Sequence, residues 1–178
     1  MKKSETNIIT LTAMMVAMVI GATYIGIPNP LSFGGYMHLG TLVTFAIAIK
    51  YGKKMGMLSG GIGAALFDIF SPYAIWWPGT LITRLIMGYV VGKISEDSKG
   101  QGANNPKNYI AIGVGGVILI TGYFLYQAVF LSYMPGSDPE FATFGAAALS
   151  IPGNTIQILI GLFAVNLIKY LPDVEIKN

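Results

Sequence analysis

Cysteine is absent from the chain, and histidine occurs once, at position 38. The first absence excludes disulfides, thiolate zinc sites and a cysteine nucleophile. The second excludes a multi-histidine metal cluster. Charge is scarce as well. Only 11% of the 178 residues are charged, against roughly a quarter in an ordinary soluble domain. The motifs of catalysis are missing too. There is no G-x-x-x-x-G-K-[ST] phosphate loop, since Gly88 to Lys93 has the wrong spacing and no Ser or Thr after it. There is no H-E-x-x-H, no G-x-S-x-G and no embedded pair of acids. The chain is therefore not expected to be an enzyme, and neither a cofactor nor a metal is implied.

What is abundant is apolar. Hydrophobic residues make up 53% of the chain and glycine contributes 23 positions, with a mean hydropathy of +0.62. Glycine at this level in an apolar sequence suits close helix packing in lipid. A spanning helix takes about 20 apolar residues, so six spans use most of the length and leave no room for a soluble domain. The expected fold is a single all-α integral membrane domain over residues 1–178. Its six transmembrane helices are placed near 8–27, 38–50, 55–70, 80–94, 109–134 and 145–171. The first apolar run is longer than the core of a secretory signal, so it reads as a retained span ended by Pro28 and Pro30. The second is short and depends on flanking aromatics and lysine snorkelling to cross.

Charge placement orients these spans. Ten lysines (Lys2, Lys3, Lys50, Lys53, Lys54, Lys93, Lys99, Lys107, Lys169 and Lys177) fall on the side that holds both termini. The other three loops have no Lys or Arg. The positive-inside rule then puts both termini of this multi-pass membrane protein in the cytoplasm. The net charge of +3 is explained by orientation, and nucleic acid is not an expected partner.

Two charges remain inside lipid, Asp68 near the exit of the third span and Arg84 about one turn into the fourth. Embedded charges are functional candidates because they are costly. Uncharged polar and aromatic residues gather at the same depth: His38, Trp76, Trp77, Tyr123, Gln127, Asn154 and Gln157, the last two on one helical face. Rings that stack, with amides and a charge to read donors and acceptors, are what a small flat polar ligand needs. The cluster predicts an outward-facing small-molecule pocket. Each residue also has a plainer role. Asp68 and Arg84 can pair with each other, the tryptophans can anchor at the interface, and the amides can bond between helices. A small-residue stripe, Ala13, Ala17 and Gly21, repeats every four positions on the first span and allows close approach of another helix. Gly56, Gly60 and Ala64 do the same on the third span, and Gly88 and Gly92 on the fourth.

Six short spans with termini inside, Ala13-x-x-x-Ala17, and Gly63-Ala-Ala-Leu-Phe-Asp68 followed by an aromatic loop and Thr83-Arg-Leu-Ile-Met-Gly88 resemble the S component of an energy-coupling factor (ECF) vitamin transporter. The likeness is to the riboflavin-type and hydroxymethylpyrimidine-type group. The resemblance implies a subunit that captures a vitamin or precursor on the outer side. A membrane coupling (T) subunit and two cytoplasmic ATPases would drive its release inside. It implies that Ala13, Ala17 and Gly21 dock on the coupling subunit, and that the loop of residues 29–37, with Asn29, Pro30, Phe33 and Tyr36, acts as a gate. ATP would be hydrolysed by the partners, in keeping with the missing phosphate loop. Pyridoxine or hydroxymethylpyrimidine is the expected ligand, with riboflavin and pantothenate open. The rival readings are a self-sufficient carrier or channel with Asp68 as coupling carboxylate, and a membrane assembly protein.

Overall fold

A computed structural model of the chain describes residues 3–32, 35–97, 105–133, 140 and 143–173. Six principal helices carry the architecture: α1 (Lys3–Thr23), α2 (Gly40–Tyr51), α3 (Lys53–Ile69), α4 (Trp77–Asp97), α5 (Pro106–Leu125) and α6 (Phe144–Gly161). A one-turn helix, α7 (Ala164–Leu167), continues α6 after a break. A small antiparallel hairpin, β1 (Gly26–Pro28) and β2 (Tyr36–His38), joins α1 to α2 with Ile27 opposite Met37. Three helical stretches, Ala74–Glu96, Pro106–Tyr133 and Phe144–Tyr170, are long and apolar enough to cross a membrane.

Local chemistry sets several boundaries. Asn105 accepts a hydrogen bond from the Lys107 amide at 2.9 Å, with Pro106 at the first helical position, so α5 starts with a side-chain cap. Thr143 caps α6 through the Ala146 amide. The turn between α2 and α3 is a single residue, Gly52, at φ +84°, a conformation that costs glycine nothing. The first helix ends at Thr23, four residues short of the expected 27. The cause lies beyond it: residues 26–28 pair with 36–38, and extended backbone cannot also be helical. Helix α6 ends at Gly161 rather than continuing unbroken to 171.

Helix α2 is the hub. It contacts α1, α3, α4, α6 and α7, and eight of its twelve residues are buried. That position explains why it is short and apolar almost all round. Around it sits a dry core of Phe45, Ile49, Met87, Val91, Ile112, Leu119 and Ile168. Helices α3 and α4 form the most extensive pairing. They approach at Gly56 and Gly88, where a Cβ on either residue would collide with the backbone of the other.

The core closes the bundle at the end where α2 meets α3. There Lys53 pairs with Glu96 at 2.8 Å and Lys50 with Asp173. The polar residues singled out in the sequence lie at the opposite end. Lys53 and Asp68 are separated by about 22 Å along α3, at 1.5 Å per residue.

Candidate functional site

The end away from the lysines encloses a cavity of about 520 Å³, counting its open mouth. Every helix from α3 to α6 contributes to its wall, and the hairpin covers it: Asn29, Gly35, Tyr36, Met37 and His38 all face it. Of the residues expected to gather here, His38, Asp68, Trp76, Arg84, Tyr123, Asn154 and Gln157 line it.

Arg84 is the organising side chain and is fully buried. Its Nε donates to the Tyr123 hydroxyl at 3.1 Å, and its Nη2 donates to Thr41 Oγ1 at 3.1 Å. Tyr123 donates onward to Thr80 Oγ1 at 3.1 Å, and the Thr80 side chain bonds the Asp68 carboxylate. The two embedded charges are thus joined through two hydroxyls. They do not form an ion pair, for among the described residues the ion pairs within 4.0 Å are Lys50–Asp173 and Lys53–Glu96. From Thr41 a second chain runs to Gln157 Oε1 at 3.0 Å, and Gln157 Nε2 reaches Asn154 Oδ1 at 3.3 Å and the Tyr36 carbonyl at 3.4 Å. Asn154 and Gln157 share a face of α6, as their spacing predicted.

Aromatic rings hold the hairpin over this network. Tyr36 stacks on Phe67 with centroids 5.6 Å apart and planes 13° apart, and on Tyr73 at 4.9 Å. It also stacks on His38 at 5.6 Å. Burial, with the Tyr73 phenol beside it, raises the Tyr36 pKa above its ordinary 10.0, so the ring is neutral at physiological pH. Trp76 sits edge-on to Tyr123 at 5.9 Å. Tyr126 donates to the Ile75 carbonyl at 2.7 Å and packs on Trp76, tying the aromatic loop to the fifth helix. Tyr126 begins a π-turn, Tyr126–Phe130, an irregularity often found beside functional sites.

Two expected residues are not brought to the cavity. Trp77 is 43% exposed. It follows Trp76 directly, and successive residues of a helix point about 100° apart, so only one of the pair faces inward. Gln127 is fully buried but lies off the cavity wall. It falls inside the π-turn, which shifts the helical phase after Tyr123. Among the gate residues, Asn29 and Tyr36 line the cavity, Pro30 is exposed, and Phe33 lies outside the described residues. Ala13, Ala17 and Gly21 are all exposed along α1, as are Met14 and Met18 beside them.

Sequence reasoning missed other wall residues, namely Met37, Tyr73, Thr80, Ser150 and Gly153, together with the bridging Thr41. Gly153 matters through what it lacks, because a Cβ there would run into the Asn29 amide.

The sequence profile of a family described as "ECF-type riboflavin transporter, S component" matches residues 3–172. The chain belongs to this family. An ECF S component is a membrane transport subunit rather than an enzyme. Such subunits bind vitamins and partner with T and ATPase subunits. The chain is also similar to a protein of Pyrococcus woesei described as "Uncharacterized protein in gap 3'region". The two are 28% identical over 120 residues, or 67% of this chain and 76% of that protein.

Proposed function

We propose that this S component captures a small water-soluble vitamin or precursor from outside the cell in the cavity beneath the hairpin. It then delivers the ligand inward by reorienting in the membrane, driven by ATP hydrolysis in its partners. In this reading all six principal helices span the cytoplasmic membrane, and both termini and the ten lysines lie inside. The cavity carries the reading. It holds a fully buried arginine and a carboxylate, and it lies at the opposite end of α2 and α3 from the Lys50 and Lys53 contacts. The positive-inside rule makes that end the outer one.

Pyridoxine and hydroxymethylpyrimidine are the favoured ligands. Each is a flat ring with a few polar groups, which matches a cavity walled by stacked rings and polar side chains. The description of the matching family makes riboflavin the second candidate. The hairpin, with Asn29, Pro30 and Tyr36, is the gate. Ala13, Ala17 and Gly21 form the strip that meets the T subunit, where small side chains allow close helix approach.

Mass spectrometry of small molecules released from the protein purified from its native membrane tests the ligand reading. A vitamin-sized heterocycle is expected, and repeated purification with no bound small molecule counts against it. Replacing Ala13 and Ala17 by Trp tests the docking strip. Complex formation and uptake should stop while ligand binding persists; co-purification of the doubly substituted chain with the coupling module in normal yield would remove α1 from the interface. Transport by the purified chain alone in liposomes, without ATP or partners, would instead support the rival carrier with Asp68 as its coupling carboxylate.

A further inference from the structure

The hydrogen-bond network around Arg84 is not closed, and the groups left over form a pattern. Arg84 Nε and Nη2 are spent on Tyr123 and Thr41, but the fully buried Nη1 has no partner. The Gly40 amide donates to His38 Nδ1 at 3.0 Å, so the neutral ring carries its proton on Nε2. That N–H faces Arg84 Nη2 at 3.3 Å. Two donors therefore face each other, and neither satisfies the other. Asn154 accepts from Gln157 through Oδ1, leaving its amide N–H groups for the cavity. At the other end of the Tyr123–Thr80 relay, Asp68 Oδ2 is buried and has no donor.

The leftover set is thus donors with a full positive charge on one side and a carboxylate acceptor on the other. An unpaired buried guanidinium is costly, and charge-assisted bonds to an anionic oxygen are the strongest remedy. We propose that the cavity takes a small amphoteric ring compound. It sets a negatively charged oxygen against the Arg84–His38 pair and a hydrogen-bond donor against Asp68 Oδ2. The proposal rests on the transport reading above and narrows its ligand class. Pyridoxine, which carries a phenolate oxygen and a ring N–H in its zwitterionic form, fits. Hydroxymethylpyrimidine and riboflavin, which carry no oxygen ionised at neutral pH, do not.

The test is calorimetric titration of the detergent-purified chain with pyridoxine, its 3-methyl ether, hydroxymethylpyrimidine and riboflavin. Pyridoxine should bind, and the ether, which cannot form the phenolate, should bind about tenfold more weakly or worse, the size of losing a charge-assisted hydrogen bond. R84Q should lose at least about as much, with R84K recovering part of it, and D68N should weaken pyridoxine by a similar factor. The ether comparison needs no variant, so it stands even if a substitution at Arg84 prevents folding. Equal or tighter binding of the ether, hydroxymethylpyrimidine or riboflavin overturns the proposal while leaving the transport reading intact. So does a co-purifying ligand without an anionic oxygen. Failure of all four compounds to bind a chain that melts cooperatively also overturns it, and the mass spectrometric test, which asks only whether a vitamin-sized heterocycle is bound, is unaffected.

Discussion

The two ends of this bundle are built on opposite principles. Where α2 turns into α3, apolar side chains and bare glycines pack backbone against backbone, and polar groups bond one another: Lys53 with Glu96, Lys50 with Asp173, and the Tyr51 hydroxyl with the Pro172 carbonyl. At the other end a cavity is lined by chains of hydroxyls and amides, and two charged side chains on its wall, Asp68 and Arg84, each keep one polar atom unmatched. The closed end gains its stability from contact. The open end holds buried polar atoms without partners, which costs folding energy and is a reason for a ligand to bind. A mutation should therefore change stability at one end and affinity at the other, and that separation can be attacked directly.

The largest effect should come from the closed end. Gly88→Val places a side chain in the backbone of Gly56 and Met57. Overpacking of this kind typically costs about 1–3 kcal/mol, occasionally more. Here backbone, not a flexible side chain, stands in the way, so the upper part of that range is expected. A thermal melt in detergent should show the loss, and the fraction that folds should bind ligand normally. A melt like that of the parent chain would mean that α3 and α4 do not approach at these glycines.

Next in size is Thr41→Val, which removes the hydroxyl shared by Arg84 and Gln157. Leaving a buried acceptor and a buried donor unmet costs about 1–3 kcal/mol per group. Because both belong to the cavity network, affinity should fall about tenfold along with some stability. This residue is the place where the division between the ends should blur. Asn154→Ala should be cleaner. It removes an amide facing the cavity and frees one Gln157 N–H, so affinity should drop about fivefold, near 1 kcal/mol, with the melting temperature nearly unchanged. Unaltered affinity would take Asn154 out of the site.

The separation between the ends also explains which parts of the molecule could be read from the sequence. Apolar runs and their polar punctuation show the helices, because each needs a stretch of hydrophobic residues. The charged and amide residues of the cavity stand out because Asp68, Arg84, Asn154 and Gln157 are conspicuous in apolar helices. Thr41, Thr80 and Ser150 do not stand out. A hydroxyl inside a helix usually bonds its own backbone, as Thr44 does to Gly40, Ser59 to Met55 and Ser150 itself to Ala147, so only the fold shows which of them lie at the cavity. The hairpin was hidden for another reason. Pairing of residues 26–28 with 36–38 is a long-range choice, and the apolar Tyr24 to Ile27 stretch continues the hydrophobicity of α1 without a break. Trp77 and Gln127 lie off the cavity wall for reasons of phase: a helix start in one case and a π-turn in the other decides which way a residue points.

The smallest predicted effect probes the paired end once more. Lys53 and Glu96 form a half-exposed ion pair, and such pairs contribute about 0–1 kcal/mol. Their two partners are not equivalent, however. Glu96 Oε1 also accepts the backbone amide of Lys53 at 2.9 Å, one of the amides that the start of α3 leaves without a helical partner. The carboxylate therefore works as a cap supplied from α4, while the lysine supplies only its charge. Lys53→Ala should shift the melting temperature little. Glu96→Ala removes both bonds and should cost about 1 kcal/mol, the usual value of a lost helix cap. Glu96→Gln should recover most of that, since an amide oxygen can still accept from the Lys53 N–H. Equal losses from Lys53→Ala and Glu96→Ala would mean that the charge pair, rather than the cap, joins α4 to the start of α3.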